Sequence, residues 1–291
     1  MAGQNKQRRS SLEKEAREQY VTVRDGARLR VLEFASAAGP AAKTLVLVPG
    51  LATVFQSWQE VVLSLSQDFR ILYFESREKA SSILPDRRAE RHITLHEMAL
   101  DLKDLARNMR LDERPYLVLC SSAGGTLVIE ALSQGWMRPQ GAILVGPMVR
   151  NRLSPVAAVL TSCTPMALKN VAMPFFRVYL HAVHVNQRRN PEQFTKYVRA
   201  AEDVHFPKVR RLLWEMTAFD CTELLSKITT PCLIVGAATD EMHAASEVRR
   251  TQQRIPGASF VDLGSNQAAH AQPLVDAIRA FAAGLEKPRA L

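Results

Sequence analysis

Five short runs of branched and apolar residues recur along the chain: Thr44-Leu45-Val46-Leu47-Val48, Arg70-Ile71-Leu72-Tyr73-Phe74, Tyr116-Leu117-Val118-Leu119, Ala142-Ile143-Leu144-Val145 and Cys232-Leu233-Ile234-Val235. A strand with one wet face alternates apolar and polar residues; these runs do not alternate, so both of their faces need cover. Amphipathic stretches lie between them. The clearest spans 94–109, where Thr94 and Glu97 form a capping box and Ile93 with Met98 a hydrophobic staple. Buried strand alternating with helix predicts an α/β fold with a mostly parallel central sheet flanked by helices. Near the start, Asp25-Gly26 between Tyr20–Val23 and Leu29–Phe34 predicts a hairpin, since glycine tolerates the positive φ of such a turn.

The rhythm breaks at 150–227. No strand pattern is evident there, and helical patterns are interrupted by Pro155, Pro165, Pro174, Pro191 and Pro207. The expectation is an all-helical cap inserted between two parts of one core, 20–149 and 228–291, with residues 1–19 as a polar N-terminal leader. After the cap, Ser259–Leu263 reads as a further strand and Pro273–Leu285 as an amphipathic helix.

Composition excludes several classes. Apolar residues make up 47% and charged residues 23%, enough for a sizeable core and too balanced for a disordered chain. Basic residues exceed acidic ones, 38 to 29, but they are spread and mixed with acids, without the basic and aromatic stripe of a nucleic-acid groove. Four cysteines, Cys120, Cys163, Cys221 and Cys232, are too few and too unevenly spaced for a disulfide scaffold or a paired zinc site. His181 and His184 share a helical face, yet no third ligand sits at metal spacing. No G-x-G-x-x-G or Walker loop supports a nucleotide cofactor, so neither cofactor nor metal is expected. No run reaches the ~18 apolar residues of a membrane span, and the expected location is cytoplasmic.

The most informative segment is Tyr116 to Glu130: a buried strand, then Cys120-Ser121-Ser122-Ala123-Gly124-Gly125, then a helix. Such a strand–turn–helix context presents a nucleophilic serine on a strained turn. Close approach of strand and helix requires small residues two positions before and after that serine. Ser122 has Cys120 and Gly124 there, whereas Ser121 would have Leu119 and Ala123, so Ser122 is the candidate nucleophile. A serine hydroxyl needs a base, and the base needs an orienting partner. Asp240 follows the strand Cys232–Val235, and His270 follows Ser259–Leu263 in the loop Gly264-Ser265-Asn266-Gln267-Ala268-Ala269-His270. Glu241 and Asp262 are rival acids, less favoured because Glu241 adjoins Asp240 but points elsewhere and Asp262 falls within a strand.

In the order Ser122, Asp240, His270, with these flanking motifs, the chain resembles the α/β-hydrolase family over roughly residues 20–285. Pro49-Gly50-Leu51 through Trp58 is similar to that family's oxyanion loop, and 150–227 corresponds to its cap. Three positions depart from the pattern: Pro49 stands for a common histidine, Cys120 for the first elbow glycine, and Glu75–Ser82 for an Asp-x-Arg-Gly-x-Gly-x-Ser turn. The resemblance implies a cofactor-independent serine hydrolase with the backbone N–H groups of Leu51 and Ala123 as the oxyanion hole. An apolar stretch at 156–185 suits a small-molecule substrate with an apolar acyl or alkyl part, as an ester, thioester or lactone. Arg188, Arg189, Lys208, Arg210 and Arg211 would suit an anionic substrate, and solvated helix faces explain them equally well. The same residues serve C–C bond hydrolysis, acyl transfer and peracid formation, and a ligand-binding protein on this scaffold stays open.

Overall fold

Paired side by side, the buried runs form the centre of an eight-stranded sheet. The computed structural model describes residues 10–51, 53–151, 206–239 and 245–286. Its strands are β1 (Arg17–Thr22), β2 (Arg28–Phe34), β3 (Thr44–Val48), β4 (Arg70–Phe74), β5 (Tyr116–Ser121), β6 (Gly141–Val145), β7 (Arg150–Asn151), β8 (Phe219–Asp220), β9 (Cys232–Gly236) and β10 (Ser259–Asp262). The described helices, numbered in chain order, are α1 (Ser11–Glu15), α2 (Gln59–Leu65), α3 (Arg87–Arg91), α4 (Leu95–Asn108), α5 (Ser122–Ser133), α6 (Phe206–Glu215), α7 (Ala245–Arg254) and α8 (Gln272–Glu286). The main sheet runs in the order β1-β2-β4-β3-β5-β6-β9-β10. In this sheet every pair from β4 to β10 is parallel, and β2 pairs antiparallel both with β1 at the edge and with β4.

Two apolar layers sandwich this sheet, as two-faced strands demand. Val46, Val118 and Leu144 point to one side, where they pack with Met98 and Leu102 of α4 and Leu127 and Val128 of α5. Leu47, Leu119 and Ile143 point to the other, against Val61 and Leu65 of α2 and Leu274 and Ile278 of α8. The chain leaves β3 through α2 on one face and leaves β5 through α5 on the opposite face. The carboxyl ends of β3 and β5 therefore border the crevice at which a doubly wound sheet switches direction, the place where ligands bind in open α/β folds.

Local chemistry accounts for the element boundaries. Thr94 Oγ1 accepts the Glu97 N–H at 3.0 Å and starts α4, with Ile93 and Met98 buried beside it as the staple requires. Gly26, at φ +84°, closes the hairpin, its N–H donating to Val23 O at 2.9 Å. Three expectations change. The first strand begins at Arg17, three residues before Tyr20, because its polar side chains find cross-strand partners that an apolar pattern does not reveal: Gln19 Nε2 donates to Glu33 at 3.1 Å. Within the polar leader expected at 1–19, α1 places Glu13 against Arg30 at 3.1 Å, with Glu13 only 6% exposed. At the neck of the 150–227 insertion, β7 and β8 form a two-residue antiparallel ladder, Arg150 opposite Asp220, where no strand was expected. Two residues are too few to show a period. Of the expected helical cap, α6 is described, with Pro207 in its first turn where no N–H is needed; residues 152–205 lie outside the described residues.

Candidate active site

β5 runs extended through Ser121, and the chain then turns abruptly: Ser122 takes φ +48°. For a residue with a Cβ this left-handed conformation costs on the order of 1–2 kcal/mol, so the surrounding packing must hold it. Gly124 supplies the tolerance, since a Cβ there would lie 2.4 Å from the carbonyl oxygens of both Val48 and Pro49. The helix can seat itself against the end of β3 only with glycine at that position. Two residues before Ser122, the buried Cys120 directs its thiol at Ile143 O, 3.5 Å away, and burial pushes that thiol well above its usual pKa. Cys120 is thus a small packing residue and not a thiolate. The two serines differ in their engagement. Ser121 Oγ accepts the N–H of Gly50 at 3.1 Å and ties the β5 end to the loop after β3. Ser122 borders the cleft, and its carbonyl accepts the Met148 N–H at 3.0 Å, anchoring the turn to the loop after β6.

Ala123 is the second residue of α5, among the N–H groups that have no acceptor within the helix and that carry its positive dipole end. The register sets Val48 beside Cys120, which brings the ends of β3 and β5 level, and Leu51 follows β3 by three residues. The loop carrying Leu51 is held by Lys79, whose Nζ donates to Gly50 O at 3.1 Å and Thr53 O at 2.9 Å.

Lys79 belongs to the turn Glu75–Ser82, which lacks the glycines of the resembled pattern. Buried ion pairs hold it instead. Arg30 binds Glu75 through two hydrogen bonds of 2.8 and 2.7 Å, and Arg77 reaches Asp101 at 2.5 and 2.7 Å and Asp25 at 2.5 and 3.1 Å. Lys208 of α6 donates to Lys79 O, Ser82 O and Ser82 Oγ at 2.7–3.0 Å. Forked guanidinium–carboxylate pairs fix geometry as well as energy, and they replace backbone freedom with cross-links.

His270 reaches the same cleft from a short 3-10 turn, Ala268–His270, between β10 and α8. Its Nδ1 lies 2.9 Å from the backbone carbonyl of Asn266. A carbonyl oxygen only accepts, so Nδ1 is the donor in this contact. Trp58, fully buried, packs on the imidazole with ring centroids 4.7 Å apart. The loops after β9 and β10 are cross-braced: Thr239 donates from both N and Oγ1 to Gly264 O at 3.0 Å, and Asp262 Oδ1 accepts from Ala238 N and Gly264 N. That duty accounts for Asp262, one of the rival acids. Asp240, Glu241 and His243 lie outside the described residues, as do His181 and His184. Ser122, His270, Leu51 and Asn266 border one cleft together with the apolar Val145, Val235 and Val248.

A family model described as serine aminopeptidase, S33 matches residues 39–262. The chain belongs to that α/β-hydrolase family. Among curated protein sequences none matches it significantly. Solved structures share the hydrolase's fold at low identity. A thermophilic esterase from Thermogutta terrifontis superposes with a TM-score of 0.72 at 19% identity, over 94% of this chain and 100% of that one. The esterase RhEst1 from Rhodococcus sp. ECU1013 gives 0.71 at 21%, over 93% and 99%. An enol-lactonase from Burkholderia xenovorans LB400 gives 0.71 at 19%, over 92% and 99%.

Among the described residues of this α/β-hydrolase, no group of three or more His, Cys, Asp or Glu side chains is placed to hold a metal ion, and no helix is long and apolar enough to cross a membrane. Sequence reasoning gave no role to Trp58 beneath the imidazole, the Asn266 carbonyl or the Lys79 bridge. Trp58 carried a signal, its place downstream of Pro49-Gly50-Leu51. The other two depend on a main-chain acceptor and a side-chain reach that no residue pattern encodes.

Proposed function

We propose that this α/β-hydrolase cleaves carboxylic esters, lactones included, with a largely apolar acyl part, through an acyl-enzyme on Ser122. The observation that carries the reading is Ser122 at φ +48°, on the turn into α5, bordering the same cleft as His270. In the proposed reaction Ser122 Oγ attacks the substrate carbonyl while His270 Nε2 takes its proton. The N–H groups of Leu51 and Ala123 receive the oxyanion, a contribution of about 3 kcal/mol for each well-aimed donor. Collapse expels the alcohol, which leaves with the proton from His270, and water then releases the acid by the same steps in reverse. Asp240 is proposed to steady the imidazole and its charged form. The bracing of Thr239 to Gly264 supports that role, since it ties the residue before Asp240 to the loop that carries His270.

Val145, Val235 and Val248 along the cleft favour an apolar acyl group. The structural neighbours named as esterases and as an enol-lactonase agree with ester and lactone chemistry, while the family description brings peptide bonds into the test. A fluorophosphonate probe read by intact mass should add one label to wild type and to Ser121→Ala, and none to Ser122→Ala. Persistent labelling of Ser122→Ala would remove Ser122 from the mechanism. Turnover compared across p-nitrophenyl esters of rising chain length, lactones and aminoacyl p-nitroanilides should favour the esters; preference for the anilides would make the enzyme a peptidase.

A further inference from the structure

We propose that Lys79 is a positioning residue for the oxyanion hole: it sets the orientation of the Gly50–Leu51 peptide and thereby aims the Leu51 N–H. This rests on the serine-hydrolase reading above. The peptide unit is planar and trans, so the carbonyl of Gly50 and the N–H of Leu51 point in opposite directions. The ammonium of Lys79, 3.1 Å from Gly50 O and 2.9 Å from Thr53 O, holds both carbonyls toward itself. The Leu51 N–H is then turned to the other side. Gly50 is gripped at both ends, since its own N–H donates to Ser121 Oγ at 3.1 Å and its carbonyl also accepts the Thr53 N–H at 3.2 Å.

The lysine itself is anchored. Its side chain is about one-tenth exposed, Glu78 Oε1 lies 3.2 Å from Nζ, and its backbone carbonyl accepts from Lys208. Glu78 is buried, and its oxygens accept no hydrogen bond among the described residues, so its charge is answered by Lys79 at ion-pair distance. A charged donor on a carbonyl holds it more firmly than a neutral one. An N–H that is aimed before substrate arrives needs no reorganisation as charge develops.

The test compares wild type with Lys79→Met, which keeps the apolar stem and loses the ammonium, and Lys79→Gln, which keeps a shorter neutral donor. Kinetics are measured on the best p-nitrophenyl ester, together with inhibition by two compounds of matched chain. One is a trifluoromethyl ketone: Ser122 adds to its carbonyl, the hydroxyl proton passes to His270, and the resulting hemiketal oxygen occupies the oxyanion position. The other is the corresponding carbinol, which forms no such adduct. The expected result for Lys79→Met is a fall in kcat of about 10- to 100-fold with KM within about threefold, and for Lys79→Gln a smaller fall. The ketone Ki should rise by the factor that kcat/KM loses, while the carbinol Ki stays put. Unchanged kcat/KM in both variants, or equal weakening of ketone and carbinol, would overturn the proposal while leaving the serine mechanism intact. Wild type inert to fluorophosphonate and to every ester would instead remove the serine mechanism, and this role with it.

Discussion

Two adjacent serines at the end of β5 divide the work by geometry. Both border the cleft, but Ser121 is extended with its Oγ accepting from Gly50 N–H, whereas Ser122 is left-handed. The rule of small neighbours picked out Ser122 from sequence, but the task of Ser121 as a clamp on Gly50 was invisible there, because donor and acceptor lie 71 residues apart on neighbouring strand ends. Ser121→Ala leaves the Gly50 N–H without its acceptor, a loss of about 1–2 kcal/mol for a buried donor. Its kcat/KM should fall about 5- to 20-fold with full fluorophosphonate labelling retained. Steady-state kinetics beside a labelling assay check this, and an unaltered kcat/KM would mean that the bond to Gly50 contributes nothing to catalysis.

Between elements, the decisive contact is the approach of α5 to the end of β3. Gly124 faces the Val48 and Pro49 carbonyls so closely that any side chain forces the helix outward. Gly124→Ala should therefore cost about 2–3 kcal/mol of stability by overpacking and abolish most turnover by spreading Leu51 from Ala123. Urea unfolding measures the first effect and ester kinetics the second; a stable, fully active variant would show that the strand–helix spacing is slack. The turn Glu75–Ser82 teaches the complementary lesson. Its missing glycines suggested a departure from the family's turn, yet Arg30 of β2, Asp101 of α4 and Lys208 of α6 hold it from three different elements. Those partners are 45, 24 and 126 residues from the groups they bind, so a local motif comparison could not register the compensation.

For the whole molecule, the buried thiols tie stability to alkaline pH. Burial pushes Cys221 and Cys232 up to about 12 from a reference of 9.0. Between those values the unfolded chain has released protons that the folded chain retains, so this stabilisation is complete below pH 9 and is lost as pH rises toward 12. Urea midpoints should fall between about pH 9 and 10.5, by up to about 2 kcal/mol per thiol, and fall less steeply in Cys232→Ala. An identical slope in that variant would assign the alkaline loss to other groups. The overall architecture was legible before folding because strands covered on both faces must be apolar on both faces, and because a capping box or an Asp-Gly turn acts within a few residues. The same locality let the strand, small-residue turn and helix around Ser122 declare themselves. What folding alone decided is everything built by contact across the sheet: the imidazole seated on Trp58, and the Gly50 peptide held by Ser121 and Lys79. The physical reason is that these bonds run between a main-chain group and a distant partner, and a main-chain carbonyl is the same in every residue; only the path of the chain determines which one a side chain meets.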